Sequence, residues 1–431
     1  MAQLIKRFTQ LFHLDKDVPV DLRYNFYHYY WDITWWGLLN GTTLSFLNYF
    51  AVRVGATTTQ VGLITAIPAI VSLIFALPAG VILARYSMNR ATFVVAVITR
   101  VFYLVFILLP FVQSPTFVIW AIILTTLVMA VPSIFATVAF NTAFAQNIPD
   151  QYRAHVAGVR NAAFAVVTIG VSLLSGRLLT AIQFPYGYVI VFLIGFFGSA
   201  MSAYHLYRLK PATDNVHFDR QPPIQADPTQ GWILARLSES FKVFKKQIRL
   251  DLIKGKTGIL ILLLTLLNLS LYISGPVFPV YLVNRFHFTD QAISIGMACF
   301  NFTIFLGSLK LEAFEIRLGR QKATGLGLLL MATFPIMLIF MKSPLLYYGA
   351  NLVSGLGWAL VGGEVFNYLF ERIPIQYHAS GIAWYTMSAN AALLIGSLLG
   401  PLLANSLGFV ITMIIFAVLR FAVSMAILRW G

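Results

Sequence analysis

The chain is 431 residues long, 59% hydrophobic and only 10% charged, with a formal net charge of +15. Soluble domains carry charge on about a quarter of their residues, so this composition excludes an ordinary soluble globule and points to the membrane. A basic excess of this size can signal nucleic acid or an anionic partner, but in so apolar a chain it records topology and contact with anionic lipid.

Residues 1–20 come first. Leu4, Ile5, Phe8, Leu11 and Phe12 share one face of a helix over residues 3–14, with Lys6, Arg7 and Gln10 elsewhere. That pattern predicts an amphipathic segment lying on the membrane, not a cleavable signal. Apolar runs long enough to cross a bilayer as helices, about 20 residues each, follow at roughly 31–52, 61–84, 91–112, 116–142, 157–180 and 186–208. They place a first bundle at 21–208.

Residues 209–256 are the only long polar stretch. Turn formers and acids from Pro211 to Pro228 lead into a basic amphipathic helix from about Trp232 to Ile253. This reads as a cytoplasmic linker whose helix lies along the inner leaflet, with a regulatory or partner-binding element as the alternative. Six further runs, 257–284, 291–311, 322–341, 345–370, 380–404 and 407–428, place a second bundle at 257–431. Pro276 and Pro279 should bend the first of these. Cys299 has no possible disulfide partner and reads as a buried structural thiol.

The two halves repeat each other. Ile148-Pro149-Asp150-Gln151-Tyr152-Arg153-Ala154 returns as Ile373-Pro374-Ile375-Gln376-Tyr377-His378-Ala379, and Phe140-Asn141-x-x-Phe144 as Phe366-Asn367-x-x-Phe370. Arg53 and Thr57 recur as Arg285 and Thr289. Long-period self-similarity in an apolar chain marks a membrane protein of two related bundles. The expected fold is therefore all-α, with twelve transmembrane helices in two pseudo-symmetric six-helix bundles. With both termini inside, about two dozen basic residues fall on the cytoplasmic side, as the positive-inside rule requires. Only Arg53, Arg177, Arg285 and Lys342 fall outside. A multi-pass protein of the plasma or inner membrane is expected.

The loop after the second span reads Gly80-x-x-x-Ala84-Arg85-x-Ser87-Met88-Asn89-Arg90, and its counterpart reads Arg317-x-Gly319-Arg320-x-Lys322. Together with the six-plus-six arrangement and the segment Pro149 to Arg153 with Gly158, these loops resemble the major facilitator superfamily. The resemblance implies conformational roles for Gly80, Arg85, Arg90, Arg153, Arg317, Gly319 and Arg320. In the first copy the family's usual acid is Ala84 and its second glycine is Ser87, which puts the charge lock there in doubt. The fifth span lacks the glycine-proline pair of drug antiporters. Gly396-x-x-x-Gly400-Pro401 in the eleventh reads as a small-residue packing face.

Chemistry in such a chain must come from polar groups inside the membrane, where they are costly. Asp32 and Glu364 are the in-span acids, one in each half. Asp32, Trp36, Asn40 and Thr43 form a helical stripe that, in the family's first span, faces a central cavity, where a carboxylate can exchange protons. An interfacial Asp32 paired with a loop arginine is the alternative. Asn141 and Asn367, as repeat mates, line the same cavity or tie helix ends. Arg100 either pairs with Asp32 or snorkels to the interface, as the family's peripheral third span implies, and Arg420 is expected to snorkel. Asn268 and Tyr272 are further cavity candidates, with Asn301 and Asn390 weaker ones. The spans hold no nucleophile–base pair, metal-ligand cluster or phosphate loop. No enzyme activity, metal or cofactor is expected.

These features point to a secondary transporter of a small molecule, a monomer working by alternating access between the bundles. Coupling to protons through Asp32 or Glu364 is one form. An uncoupled uniporter or amphiphile exporter is a second. A non-transporting scaffold or assembly factor on the same fold is the third.

Overall fold

The computed structural model describes residues 18, 20–83, 86–210, 255–374 and 377–431. The amphipathic segment 1–20 and the linker 209–256 lie almost wholly outside them, as does Arg85. The described chain is helical throughout its long elements. In the first half these are α1 (Val20–Leu39), α2 (Ser45–Arg53), α3 (Thr58–Leu83), α4 (Met88–Val101), α5 (Tyr103–Leu108), α6 (Pro115–Asn147), α7 (Asp150–Ala181) and α8 (Tyr186–Tyr207). In the second half they are α9 (Gly255–Tyr272), α10 (Val277–Val280), α11 (Asp290–Ser308), α12 (Leu311–Leu318), α13 (Arg320–Ile339), α14 (Pro344–Arg372) and α15 (His378–Trp430).

Ten helices among the described residues are long and apolar enough to cross a membrane, fewer than the twelve runs read from sequence. Two local features account for the difference. Between α1 and α2 the chain makes a π-helical turn at Asn40–Leu44, and α1 itself is aromatic and polar where the other spans are aliphatic. The last two runs join into one long α15, interrupted only at Gly408, whose φ of 75° is open to glycine without strain. The bend expected from Pro276 and Pro279 is a full break between α9 and α10, followed by a second π turn at Tyr281–Arg285.

Two of the repeated sequence motifs, Thr57/Thr289 and the Ile-Pro turns, are helix-end devices. Thr57 and Gln60 form a capping box at the start of α3: Thr57 N–H donates to Gln60 Oε1 at 2.9 Å and Gln60 N–H to Thr57 Oγ1 at 3.3 Å. Its repeat mate Thr289 caps α11, accepting from Ala292 N–H at 3.2 Å. At both Ile-Pro turns a basic side chain five residues on reaches back to the isoleucine carbonyl. Arg153 Nε lies 3.0 Å from Ile148 O, and His378 Nε2 lies 2.8 Å from Ile373 O. Those carbonyls stand at the ends of α6 and α14, where no intrahelical donor remains.

Within the first half α1 packs on α7 and α8, and α6 on α3 and α4; within the second α9 and α13 pack on α15, and α11 and α13 on α14. Gly396 and Gly400 of α15 meet the backbone around Ile273, where a Cβ at Gly400 would sit 1.8 Å from Ile273 O. The small-residue face is a packing surface. Gly80, by contrast, has open space where its Cβ would be, so no close approach explains it.

The halves meet through α3 against α15 and α7 against α11. Hydrogen bonds between the halves gather at one end, that of Arg53. Arg53 donates to Phe288 O and pairs with Asp290 at 3.5 Å, and Tyr188 Oη bonds the same carboxylate at 3.2 Å. Thr58 Oγ1 lies 2.6 Å from Asn405 Oδ1, and Gln291 N–H donates to Thr180 Oγ1 at 3.1 Å. A single apolar core spans both halves at this end, including Phe46, Phe50 and Phe192 with Val277, Phe288 and Phe416. Toward the Arg153 end the cores separate. Phe26, Tyr29, Ile148 and Val156 form one in the first half, and Leu264, Leu328, Val365 and Leu369 form another in the second.

Candidate functional site: a buried ion cluster in the first half

Four helices bring polar groups together deep in the first half. Asp32 on α1, Arg100 on α4 and Arg160 on α7 are 5%, 7% and 8% exposed. Each lies ten or twelve residues from the start of its helix, roughly 15–18 Å along it by the rise of an α-helix. Unpaired charge is costly along any helix that crosses hydrocarbon.

Arg160 Nη2 is 3.5 Å from Asp32 Oδ2. The hydroxyl of Ser202 on α8 donates to Asp32 Oδ1 at 2.6 Å and accepts from Arg100 Nη2 at 2.8 Å. Arg100 Nε donates to Ser199 O at 2.7 Å. Aromatic faces hold the guanidinium groups: Arg160 Cζ stands 4.6 Å over Phe140 and 5.4 Å over Tyr29, and Arg100 Cζ stands 5.5 Å over Trp36. Such packing gives weakly hydrated guanidinium groups a place that an ammonium would fill poorly.

A cavity of about 390 Å³ opens beside this cluster, within the size range of ligand pockets. Asp32, Trp36, Arg100 and Arg160 line it, together with Thr92, Thr99, Ser133 and Thr137. All four hydroxyls donate to the carbonyl four residues back in their own helices, leaving their oxygens as acceptors. Arg160 Nη1 is buried and has no hydrogen-bond partner among the described residues. A buried donor left unmade costs about 1–3 kcal/mol, more when charged.

Arg100 neither pairs directly with Asp32 nor snorkels. Its long side chain finds Ser199 and Ser202 on α8, and the serine hydroxyl relays it to the carboxylate. Arg420 does not snorkel either. It is 3% exposed, with Nε, Nη1 and Nη2 bonded to Ser270 O, Met331 O and Ser274 Oγ at 3.2, 2.8 and 2.6 Å. Packing helices supplied internal acceptors at hydrogen-bond distance, so the charge had no need of the interface.

Other sequence candidates fall apart from this cluster. Asn40 sits in the π turn, and Thr43 is fully buried against Gly195 of α8, where a Cβ would meet Thr43 Oγ1 at 2.2 Å. The stripe Asp32–Trp36–Asn40–Thr43 assumed α-helical phase throughout; the π turn widens one turn and rotates Thr43 off it. Asn141 is exposed on α6, while Asn147 donates to Tyr29 Oη at 3.0 Å and Asn89 Oδ1 at 2.8 Å. Asn268 is buried in the second half and donates to Leu264 O and Tyr385 Oη at 2.8 and 3.3 Å, with Tyr272 half-buried one turn on. Asn301 and Asn390 donate to carbonyls one turn back in their own helices. The backbones of Glu364 and Asn367 lie in α14; their side chains are outside the described residues. Cys299 is free and half-buried, less enclosed than expected.

In the loops, Arg90 and Arg317 are exposed, Gly319 adopts a φ of 74° that favours glycine, and Arg320 pairs with Glu315 and Glu371. The second copy of the motif thus has acids within reach of its arginine, which the first copy lacks at Ala84.

Arg160 is the residue that sequence reading missed. The apolar run begins near 157, so run length alone counts Arg160 among the cytoplasmic basic residues. A signal was available: Pro149-Asp150 is a helix-start pattern, which puts Arg160 nearly three turns into the helix.

Among the described residues, ten helices long and apolar enough to cross a membrane are the make-up of a multi-pass membrane protein. The family model of the Major Facilitator Superfamily matches residues 37–268 and 260–431, so the chain belongs to that superfamily. No curated protein matches it by sequence. Among solved structures it is similar to a mutant of the nucleoside transporter NupG, with a TM-score of 0.67 at 15% identity, over 94% of this chain and 99% of that one. A second NupG structure gives 0.58 at 15% identity, over 96% and 99%. At that identity the likeness carries the fold alone.

Proposed function

We propose that the chain is a secondary active transporter that moves a small molecule by alternating access, with the cavity beside Asp32, Arg100 and Arg160 as its binding site. The observation that carries this reading is the cluster itself. Three buried charges stand next to an open cavity, one of them with an unpartnered nitrogen, and ionisable groups within membrane spans mark ligand or ion sites by default. The distribution of contacts supports the cycle: the halves are joined at the Arg53 end and have separate cores toward the Arg153 end. With both termini in the cytoplasm, as the Lys and Arg bias requires, this is a state closed to the outside. The halves correspond to residues 21–208 and 257–431; one rocks against the other in the cycle, and the cavity, lined by the first half, moves with that half.

Asp32 is the proposed coupling carboxylate. It is held by Arg160 on α7 and Ser202 on α8, with Arg100 behind the serine and Tyr29 and His205 the nearest other titratable side chains. A proton on Asp32 would free Arg160. In proteoliposomes, Asp32→Asn should abolish accumulation driven by a pH gradient while leaving solute exchange intact. Accumulation equal to the natural protein would remove Asp32 from coupling and leave Glu364 as the candidate, whereas no pH-driven accumulation by the natural protein itself would favour the uncoupled uniporter. Nucleosides, which the structurally similar NupG transports, belong in the solute panel.

A further inference from the structure

We infer that the ligand of this cavity is an organic monoanion, a carboxylic acid with an apolar or aromatic body, whose carboxylate is received by Arg160. The inference rests on the reading of the cavity as the transport site and narrows the substrate class. Charge balance is the first ground. The lining carries two guanidinium groups and one carboxylate, a net excess of one positive charge. One negative charge on the ligand neutralises it.

Donor supply is the second ground. Thr92, Thr99, Ser133 and Thr137 have spent their hydroxyl protons on their own helices. Arg160 Nη1 remains a buried donor without a partner, on a side chain that lines the cavity. A guanidinium edge matches a carboxylate in plane, with two parallel N–H···O bonds available. Arg420 is the internal control: equally buried, it bonds through Nε, Nη1 and Nη2, and none of its nitrogens is among the unpartnered atoms. This fold can satisfy an arginine when it needs only structure. Arg160 is left with one buried nitrogen unpartnered, on a side chain that lines the cavity.

The apolar remainder of the lining sets the rest of the ligand. Ile33, Trp36, Ala96, Tyr103, Ala136 and Phe140 present hydrocarbon and aromatic faces. A neutral polar solute would leave both the excess charge and these faces unmatched.

The test uses purified full-length protein and a panel of monocarboxylates from acetate to benzoate and indole-3-acetate, each paired with its primary amide. Calorimetric binding should favour acids over amides of the same skeleton, with the aromatic acids tightest. Arg160→Gln should weaken acid binding about tenfold or more, as loss of a charge-assisted bond does. Arg160→Lys, which keeps the buried charge and guards against misfolding of the Gln variant, should bind weakly but still prefer acid to amide. No preference for any acid in the natural protein, or unchanged acid binding in both variants, would overturn the inference. Proteoliposome uptake separates the two readings. Acids that bind through Arg160 without being taken up sink the transport reading and keep the anion site. Uptake of uridine without acid binding or competition keeps transport and sinks the anion site.

Discussion

Arg153 and His378 show how much a single repeated position can do. Each sits five residues beyond an Ile-Pro turn and supplies a donor to the isoleucine carbonyl that closes the preceding helix. Arg153 also reaches Ala145 O. Arginine and histidine share no shape here, only a donor nitrogen at the right distance, which is why the repeat tolerates the exchange. Arg153→Ala and His378→Ala should each cost about 1 kcal/mol of stability, the net worth of an ordinary hydrogen bond, with the arginine variant the worse of the two because it loses two bonds. Paired thermal melts with and without ligand check this. A fall in ligand affinity with unchanged melting temperature would instead make these residues part of the site.

At the scale of helices, glycine decides which surfaces approach. Gly62 and Gly176 stand between the halves: a Cβ at Gly62 would lie 2.4 Å from Ser397 O, and one at Gly176 would lie 2.0 Å from Ser294 Oγ. Gly400 is as crowded, but against Ile273 within its own half. The same substitution should therefore have two different results. Gly62→Ala and Gly176→Ala should push the halves apart at the Arg53 end. Spin labels at the exposed positions Gln183 and Ser406, on a Cys299→Ala background, should then report a longer distance. Gly400→Ala should lower the melting temperature and leave that distance unchanged. An unaltered distance in the first two variants would mean that these glycines do not hold the outer end shut.

For the whole molecule, orientation is the property that charge alone ought to set. Cysteines introduced at Gln113, His287 and Ser343 should react with an impermeant thiol reagent on intact cells, and those at Ser87, Asp219 and Gln321 should be shielded. Labelling at position 219 in sealed cells would invert the topology. It would also turn the closed Arg53 end toward the cytoplasm. The cycle would then start from the opposite state, with the site unchanged.

Membrane class, helical content, the internal repeat and the superfamily were legible in the sequence because each depends on local or summed quantities: run length, hydropathy and loop charge. The repeated Arg53/Thr57 and Ile-Pro motifs were visible too, but not their work as caps and contacts, which needs the neighbouring carbonyls in place. What only the tertiary structure decided is which buried charges meet. Asp32 and Arg100 are far from Arg160 and Ser202 in sequence, and they converge because α1, α4, α7 and α8 pack at one depth with these side chains turned inward. Thr43 left the expected stripe because one π turn changed the helical phase, and Arg420 stayed inside because its neighbours offered carbonyls. Periodicity determines that a helix has faces; the depth and rotation at which it packs determine what each face touches.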